Sequence, residues 1–203
     1  MTRMLGVDAS AASRGTLDEA VAILRRGGLV AFPTESFYGL GADARNPGAL
    51  ARVFGVKGRP EQKPLLVLVD SVAMAETLAA EITAGVRDLM ARHWPGALTL
   101  VLAAAAHVPP ALTAGTGTVG MRMPGHPVAL GLVRAAGFPV TAPSANPSGD
   151  APPTTALAVS RYFEGALDLI LDGGPTAGGA GSTIADCTAW PPRVLRQGPV
   201  RIP

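Results

Sequence analysis

Three cations stand within seven residues of one another in "FGVKGRPEQKPL", residues 54 to 65: Lys57, Arg59 and Lys63. They include both lysines of a chain that carries 17 Lys and Arg in all. Like charges this close repel unless water separates them or an anion is shared. Gly58 and Pro60 confine the backbone between them, and a planar guanidinium beside point-charge ammoniums suits a polyphosphate. A solvated basic turn accounts for the same letters. Further segments carry small hydroxyls, amides or cations: "PTES" (33–36), "TVGMRM" (118–123), "APSANPSG" (142–149), "GGPTAGGAGST" (173–183) and "RVLRQG" (193–198). Turn chemistry explains any one of them alone. Together they could line one pocket, because ligands of open α/β sheets lie beyond strand ends.

Other chemistries find no support. "GTGTVG" (115–120) matches a dinucleotide fingerprint by letter, but it runs into "MRMP" instead of opening a helix after a strand. There is no Walker phosphate loop and no G-x-S-x-G nucleophile elbow. His93, His107 and His126 lack metal-ligand spacing, so protein-held zinc is not expected. His126, in "GHP", reads as a capping or packing residue.

The elements that must position these loops follow from periodicity. Leu17, Ala20, Val21 and Leu24 are spaced for a helix from Thr16 to Gly28, with acids early, Arg late and paired glycines at its end. "LVAF" (29–32) reads as a buried strand, and "PTESFYGLGAD" after it as a polar, Gly-containing loop. "NPGALARVFGVKG" (46–58) is expected to be a helix with Pro47 at its first position, and "PLLVLV" (64–69) a buried strand. Helices are expected at "ITAGVRDLMARHW", at "HPVALGLVRAAG" and from Thr154 to about Phe163. Strands are expected at "ALTLVL", "TVGMRM", "FPVT", "LDLILD", "STIADC" and "RVLR". Some neighbouring strands are joined too briefly for a helical crossover, which implies a mixed sheet flanked by helices.

Bulk composition bounds the rest. The 203 residues suit one α/β domain, with 48% hydrophobic and only 4% aromatic residues, 25 Gly and 19 Pro. A formal charge of +2 makes any basic surface local and favours a compact anionic ligand over a long coat of nucleic acid. A single Cys187 excludes an internal disulfide and a Cys-based zinc cluster, so a reducing, cytoplasmic setting is expected. The start shows no apolar signal region, and the apolar run 97–106 is too short to span a bilayer. No membrane association is expected.

In order and spacing, "VAFPTESFYGLGADARNPGALARVFGVKGRPEQKPLLVLV", "WPGALTLVL", "TVGMRMPGHPVALGLVRAAGFPVTAPSANPSG", "DGGPTAGGAGSTIADCT" and "RVLRQG" resemble the successive signatures of the YrdC-like family. The resemblance runs from about residue 15 to 200 and implies a single YrdC-like domain over 1–203 without a further C-terminal domain. It also implies a twisted mixed parallel and antiparallel sheet with a deep basic groove. The reaction it implies joins L-threonine, bicarbonate and ATP into threonylcarbamoyl-AMP and pyrophosphate. Mg²⁺ comes with the ATP. A tRNA threonylcarbamoyltransferase complex then takes the product, for the adenosine beside the anticodon.

Carried over by position, the resemblance gives Thr34, Arg122, Ser144 and Ser182 to threonine. It gives Lys57, Arg59, Lys63, Thr118, Asn146, Arg196 and, more weakly, Thr154 to ATP. No nucleophile or protein metal ligand is assigned, since catalysis would rest on charge and position. This chain departs from the common pattern at Lys63, at Leu68, where a His is frequent, and at Gly181, where a Glu is frequent. Two other functions remain open on these residues: a carbamoyl-phosphate-using relative that makes carbamoyl-adenylate, and a noncatalytic module for double-stranded RNA or tRNA. Neither zinc-finger Cys pairs nor an acylphosphatase-like region supports the first, and the small net charge gives little to the second.

Overall fold

The computed structural model describes residues 2–8, 14–60 and 62–202. In chain order its elements are β1 (Arg3–Gly6), α1 (Arg14–Arg25), β2 (Val30–Pro33), β3 (Tyr38–Gly41), α2 (Pro47–Lys57), β4 (Leu66–Leu68), α3 (Val72–Glu76), α4 (Ala84–His93), β5 (Leu98–Ala103), α5 (Pro110–Thr113), β6 (Thr118–Arg122), α6 (Pro127–Ala136), β7 (Val140–Thr141), α7 (Ala156–Phe163), β8 (Leu169–Asp172), β9 (Thr183–Asp186) and β10 (Arg193–Arg196).

The strands form a four-stranded sheet, β1-β8-β2-β3, and a six-stranded sheet, β10-β9-β5-β6-β4-β7. Both mix parallel and antiparallel pairs: β8 lies parallel to β1 and β2 while β3 is antiparallel to β2, and β5 runs parallel to β9 but antiparallel to β6. Alternation along β2 explains how helices cover both faces of the smaller sheet. Val30 and Phe32 pack with Leu17, Val21 and Leu24 of α1 and Val128 and Leu132 of α6. Ala31 and Ile170 face the other way, toward Ala156, Val159 and Phe163 of α7. Each fully buried Leu or Phe in these layers contributes about 1.5–3 kcal/mol relative to exposure.

The two sheets meet where β3 approaches β7. Isolated bridges join Gly39 to Ser144 and Asp43 to Val140. The Leu40 and Ala145 amides donate to the carbonyls of Pro143 and Tyr38, each at 2.8 Å. Buried Thr141 receives the Ala42 amide on its hydroxyl at 2.9 Å and returns a bond to the Leu40 carbonyl. Here the expectation of a loop over 33–43 is corrected, because Tyr38–Gly41 is a strand. Its glycines answer a close approach: an added Cβ at Gly41 would lie 2.8 Å from Phe32 Cε1 and 3.1 Å from the Val30 carbonyl oxygen.

Helix α2 has the ends its letters predict. Asn46 accepts from the Gly48 and Ala49 amides, Pro47 opens the helix and Gly58 closes it in the left-handed region at φ 54°. At α6 the His126 side chain accepts from the Val128 amide at 3.2 Å, a capping role, and Gly137 ends the helix at φ 70°. Helix α1 begins at Arg14, earlier than expected, so its acids fall outside the first turn. The short helices α3 and α5 were not apparent from periodicity. "GTGTVG" leads into strand β6. No helix among the described residues is long and apolar enough to cross a membrane.

Candidate functional site

One face of the six-stranded sheet forms the floor of a cavity of about 500 Å³. Leu98, Leu100, Val119, Met121 and Ala185 turn inward to the core. Thr99 and Val101 of β5, Thr118, Gly120 and Arg122 of β6, Leu66 of β4 and Ile184 of β9 therefore face the cavity. Thr34, residues 36–39, residues 142–144, Arg59, Gly181, Ser182 and Arg196 add to its lining. An open hollow beside α1, with Asp18, Arg25 and Arg26 in its wall, gathers none of the candidate site residues named from the sequence.

The structure brings Thr34, Ser144, Ser182 and Arg122 together with Arg59, Thr118 and Arg196 around this space. Thr34 is buried, and its hydroxyl donates to the Phe37 carbonyl at 2.7 Å, closing the turn after β2. Arg122 is 3% exposed and forms an ion pair with Glu35. Burial lowers the pKa of its guanidinium, Glu35 opposes that shift and nearby Arg196 adds to it. Arginine stays protonated throughout the working pH range regardless. Arg196 donates from Nε and Nη2 to the Ser182 carbonyl, and Nη2 also reaches Ser182 Oγ at 3.2 Å. Thr118 shares a hydrogen bond with Thr116 at 2.8 Å between their hydroxyl oxygens.

Lys57, Lys63, Asn146 and Thr154 lie outside the cavity lining. Lys57 is 2% exposed, and its Nζ donates to the carbonyls of Ser144 and Asn146, both at 2.5 Å. Burial, reinforced by Arg59, pushes its pKa down to about 8. This lysine thus fastens the end of α2 to the 144–148 segment, whose Ser148 amide binds the Lys57 carbonyl in return. Arg59 folds back onto the carbonyls of Lys63 and Pro64 at 3.3 and 2.8 Å. Lys63 is exposed. Asn146 donates to the Pro147 and Asp150 carbonyls, while its buried Oδ1 has no partner among the described residues. The Thr154 carbonyl receives the Thr176 amide at 2.9 Å, tying α7's approach to the glycine-rich segment.

Sequence reasoning missed Glu35, Thr99 and Gly120. Thr99 is buried with its Oγ1 2.8 Å from Ser182 Oγ; a lone hydroxyl inside the apolar run "ALTLVL" was the available signal. Of the two departures noted beyond Lys63, Leu68 is fully buried in the apolar layer with α1 and α6 and does not line the cavity. Gly181 does line it, at φ 70°, where an added Cβ would meet Arg196 Nη2 at 3.0 Å. Glycine there admits both the backbone conformation and the close guanidinium.

A family model described as telomere recombination, Sua5/YciO/YrdC, matches residues 22–198. The chain is 47% identical over 179 residues to a threonylcarbamoyl-AMP synthase of Pyrococcus abyssi, covering 88% of this chain and 53% of that protein. It is 45% identical over 181 residues to the enzyme of that name in Bacillus subtilis, covering 89% and 52%. The crystal structure of P. abyssi Sua5 complexed with L-threonine superposes with a TM-score of 0.92 at 44% identity, over 96% of this chain and 57% of the other. The chain thus spans about half the length of these curated relatives. A mixed sheet flanked by helices, a cavity on its open face and these matches agree: the chain belongs to the Sua5/YciO/YrdC family.

Proposed function

We propose that this protein is a threonylcarbamoyl-AMP synthase, converting L-threonine, bicarbonate and MgATP to threonylcarbamoyl-AMP and pyrophosphate for tRNA modification in the cytoplasm. The observation that carries this reading is the convergence of Arg59, Arg122 and Arg196, from three separate parts of the chain, on one cavity furnished with hydroxyls of Thr34, Thr99, Ser144 and Ser182. The relatives' names supply the substrate class, and the P. abyssi complex supplies threonine.

The chemistry asks for what this cavity offers. The threonine amine adds to the carbon of bicarbonate and water leaves, giving a carbamate. A carbamate oxygen then attacks the α-phosphorus of ATP, and the bond to the pyrophosphate oxygen breaks. Negative charge grows on the transferring phosphorus oxygens and on the leaving group, so fixed guanidiniums stabilise the transition state more than the ground state. No carboxylate lines the cavity among the described residues. Magnesium would enter as the ion of the MgATP substrate. Arg122 serves the threonine carboxylate, and Arg59 and Arg196 serve the phosphates. Lys57 supports this site by holding the 144–146 backbone in place, and the tRNA-modifying partner receives the adenylate.

Purified protein with MgATP and bicarbonate is expected to release pyrophosphate only when L-threonine is present. Release without threonine dependence, or release driven by carbamoyl phosphate, would overturn the reading.

A further inference from the structure

Among the cations that line the cavity, Arg122 differs from the others in one respect. It has a carboxylate partner, Glu35, whereas Arg59 and Arg196 bond carbonyls and a hydroxyl. Glu35 itself does not line the cavity, although its neighbours Thr34 and Ser36 do. The carboxylate therefore meets the guanidinium from outside the cavity lining.

The ion pair is one-sided. Arg122 donates from Nη1 to Glu35 Oε1, while Arg122 Nε and Glu35 Oε2 are buried without a hydrogen-bond partner among the described residues. A guanidinium carries five N–H donors; with Nε buried and one Nη1 hydrogen on Glu35, the Nη2 donors and the second Nη1 hydrogen remain for a ligand. With its charge matched by Glu35, Arg122 offers directed donors with little net field. That combination suits a single carboxylate, which needs two parallel bonds, better than a polyphosphate, which needs uncompensated positive charge. Arg59 and Arg196 retain that charge.

We propose that Glu35 is a positioning residue: it anchors Arg122 from outside the cavity and makes that guanidinium the receptor for one amino-acid carboxylate, leaving polyphosphate to Arg59 and Arg196. This deepens the proposed function and rests on it for the identity of the amino acid. The charged and titratable groups around the pair are Arg196, which repels Arg122, and His126, whose half-buried imidazole feels the Glu35 charge. Without Glu35, Arg122 would face the charge of Arg196 with no ion-pair partner among the described residues.

The test uses the full chain and its Glu35→Gln and Glu35→Asp variants. Steady-state pyrophosphate release is measured against L-threonine and against MgATP, and calorimetry compares L-threonine with L-threoninamide, which lacks the carboxylate. For Glu35→Gln the KM for threonine is expected to rise about tenfold while that for MgATP stays within about twofold. The preference for threonine over threoninamide is expected to shrink. Glu35→Asp, which keeps the charge, is expected to recover part of both. An unchanged threonine KM, a parallel rise in both KM values or an unaltered preference for the carboxylate would overturn the inference. The calorimetric comparison needs no turnover. Failure of the wild-type protein to release pyrophosphate with threonine would strike the proposed function and leave the carboxylate comparison to decide the role of Glu35.

Discussion

Thr99 Oγ1 on β5 and Ser182 Oγ, just before β9, lie 2.8 Å apart, each buried. Ser182 also receives Arg196, so one hydroxyl couples β5 to the guanidinium on β10. Replacing Thr99 with Val keeps the volume and removes the coupling. The variant is expected to lose about 0.5–1.5 kcal/mol in urea unfolding. Its KM for threonine should rise while folding remains cooperative. Full retention of both values would show that Ser182 is held by Arg196 alone.

Gly120 lies in mid-strand between Thr118 and Arg122 on the floor. An added Cβ would sit in ordinary contact, 3.7 Å from Thr99 Cγ2 and Val101 Cγ2. Gly120→Ala is therefore expected to fold, with stability raised by about 0.5–1 kcal/mol through reduced chain entropy in the unfolded state. The methyl group projects into the cavity, so turnover is expected to fall even as Tm holds or rises. Assaying both on one preparation separates the two effects.

The Lys57 ammonium is costly to bury, since its pKa falls from the ordinary lysine value of 10.5 to about 8 in the folded state. Between those values the unfolded chain holds a proton that the native chain has released, so stability rises with pH across that window. The full effect is at most about 3 kcal/mol. Burial pushes Cys187 the other way, from 9.0 up to about 11, so its ionisation on unfolding lowers stability at alkaline pH. Comparison with Lys57→Met isolates the lysine: the difference in stability between the two proteins should shift in favour of wild type from pH 8 to 10.5. A pH-independent difference would show that the ammonium's bonds to Ser144 and Asn146 fully offset its burial.

Gly41→Ala tests the junction between the sheets. The new Cβ meets Phe32 Cε1 at 2.8 Å, Val140 Cγ1 at 3.1 Å and the Val30 carbonyl oxygen at 3.1 Å. Overpacking at such a site is expected to cost about 1–3 kcal/mol by chemical denaturation. Gly55→Ala, exposed on α2 with open space at the Cβ position, is the control and should stabilise slightly.

Particular residues show how far the letters reach. Asn46, Pro47 and Gly58 announce α2 because caps act through local backbone geometry, and each is where local rules put it. The segments after β2, β7 and β8 could be grouped because each follows an apolar run. Tyr38–Gly41 escaped because two glycines in a strand look like a loop, and their cause, the Phe32 ring, lies on the neighbouring strand. Glu35 and Arg122 are separated by 87 positions, and no local pattern joins them. Lys57 was readable in part: with Val53 and Phe54 it falls at helical spacing on the buried side of α2, which points its stem inward and away from a solvated turn.

The meeting of β3 and β7 also governs how the molecule should respond to occupancy. Thr34, Gly39 and Ser144 lie at or beside that junction, while Thr99, Arg122 and Ser182 belong to the larger sheet or its edge, and all of them line the same space. A ligand touching both groups acts as a staple across the seam. Its binding adds RT ln(1 + [L]/Kd) to global stability, about 2.7 kcal/mol at a hundredfold excess over Kd. The same ligand should slow amide exchange first at Leu40, Ala42 and Ala145, whose hydrogen bonds cross the seam at 2.8, 2.9 and 2.8 Å.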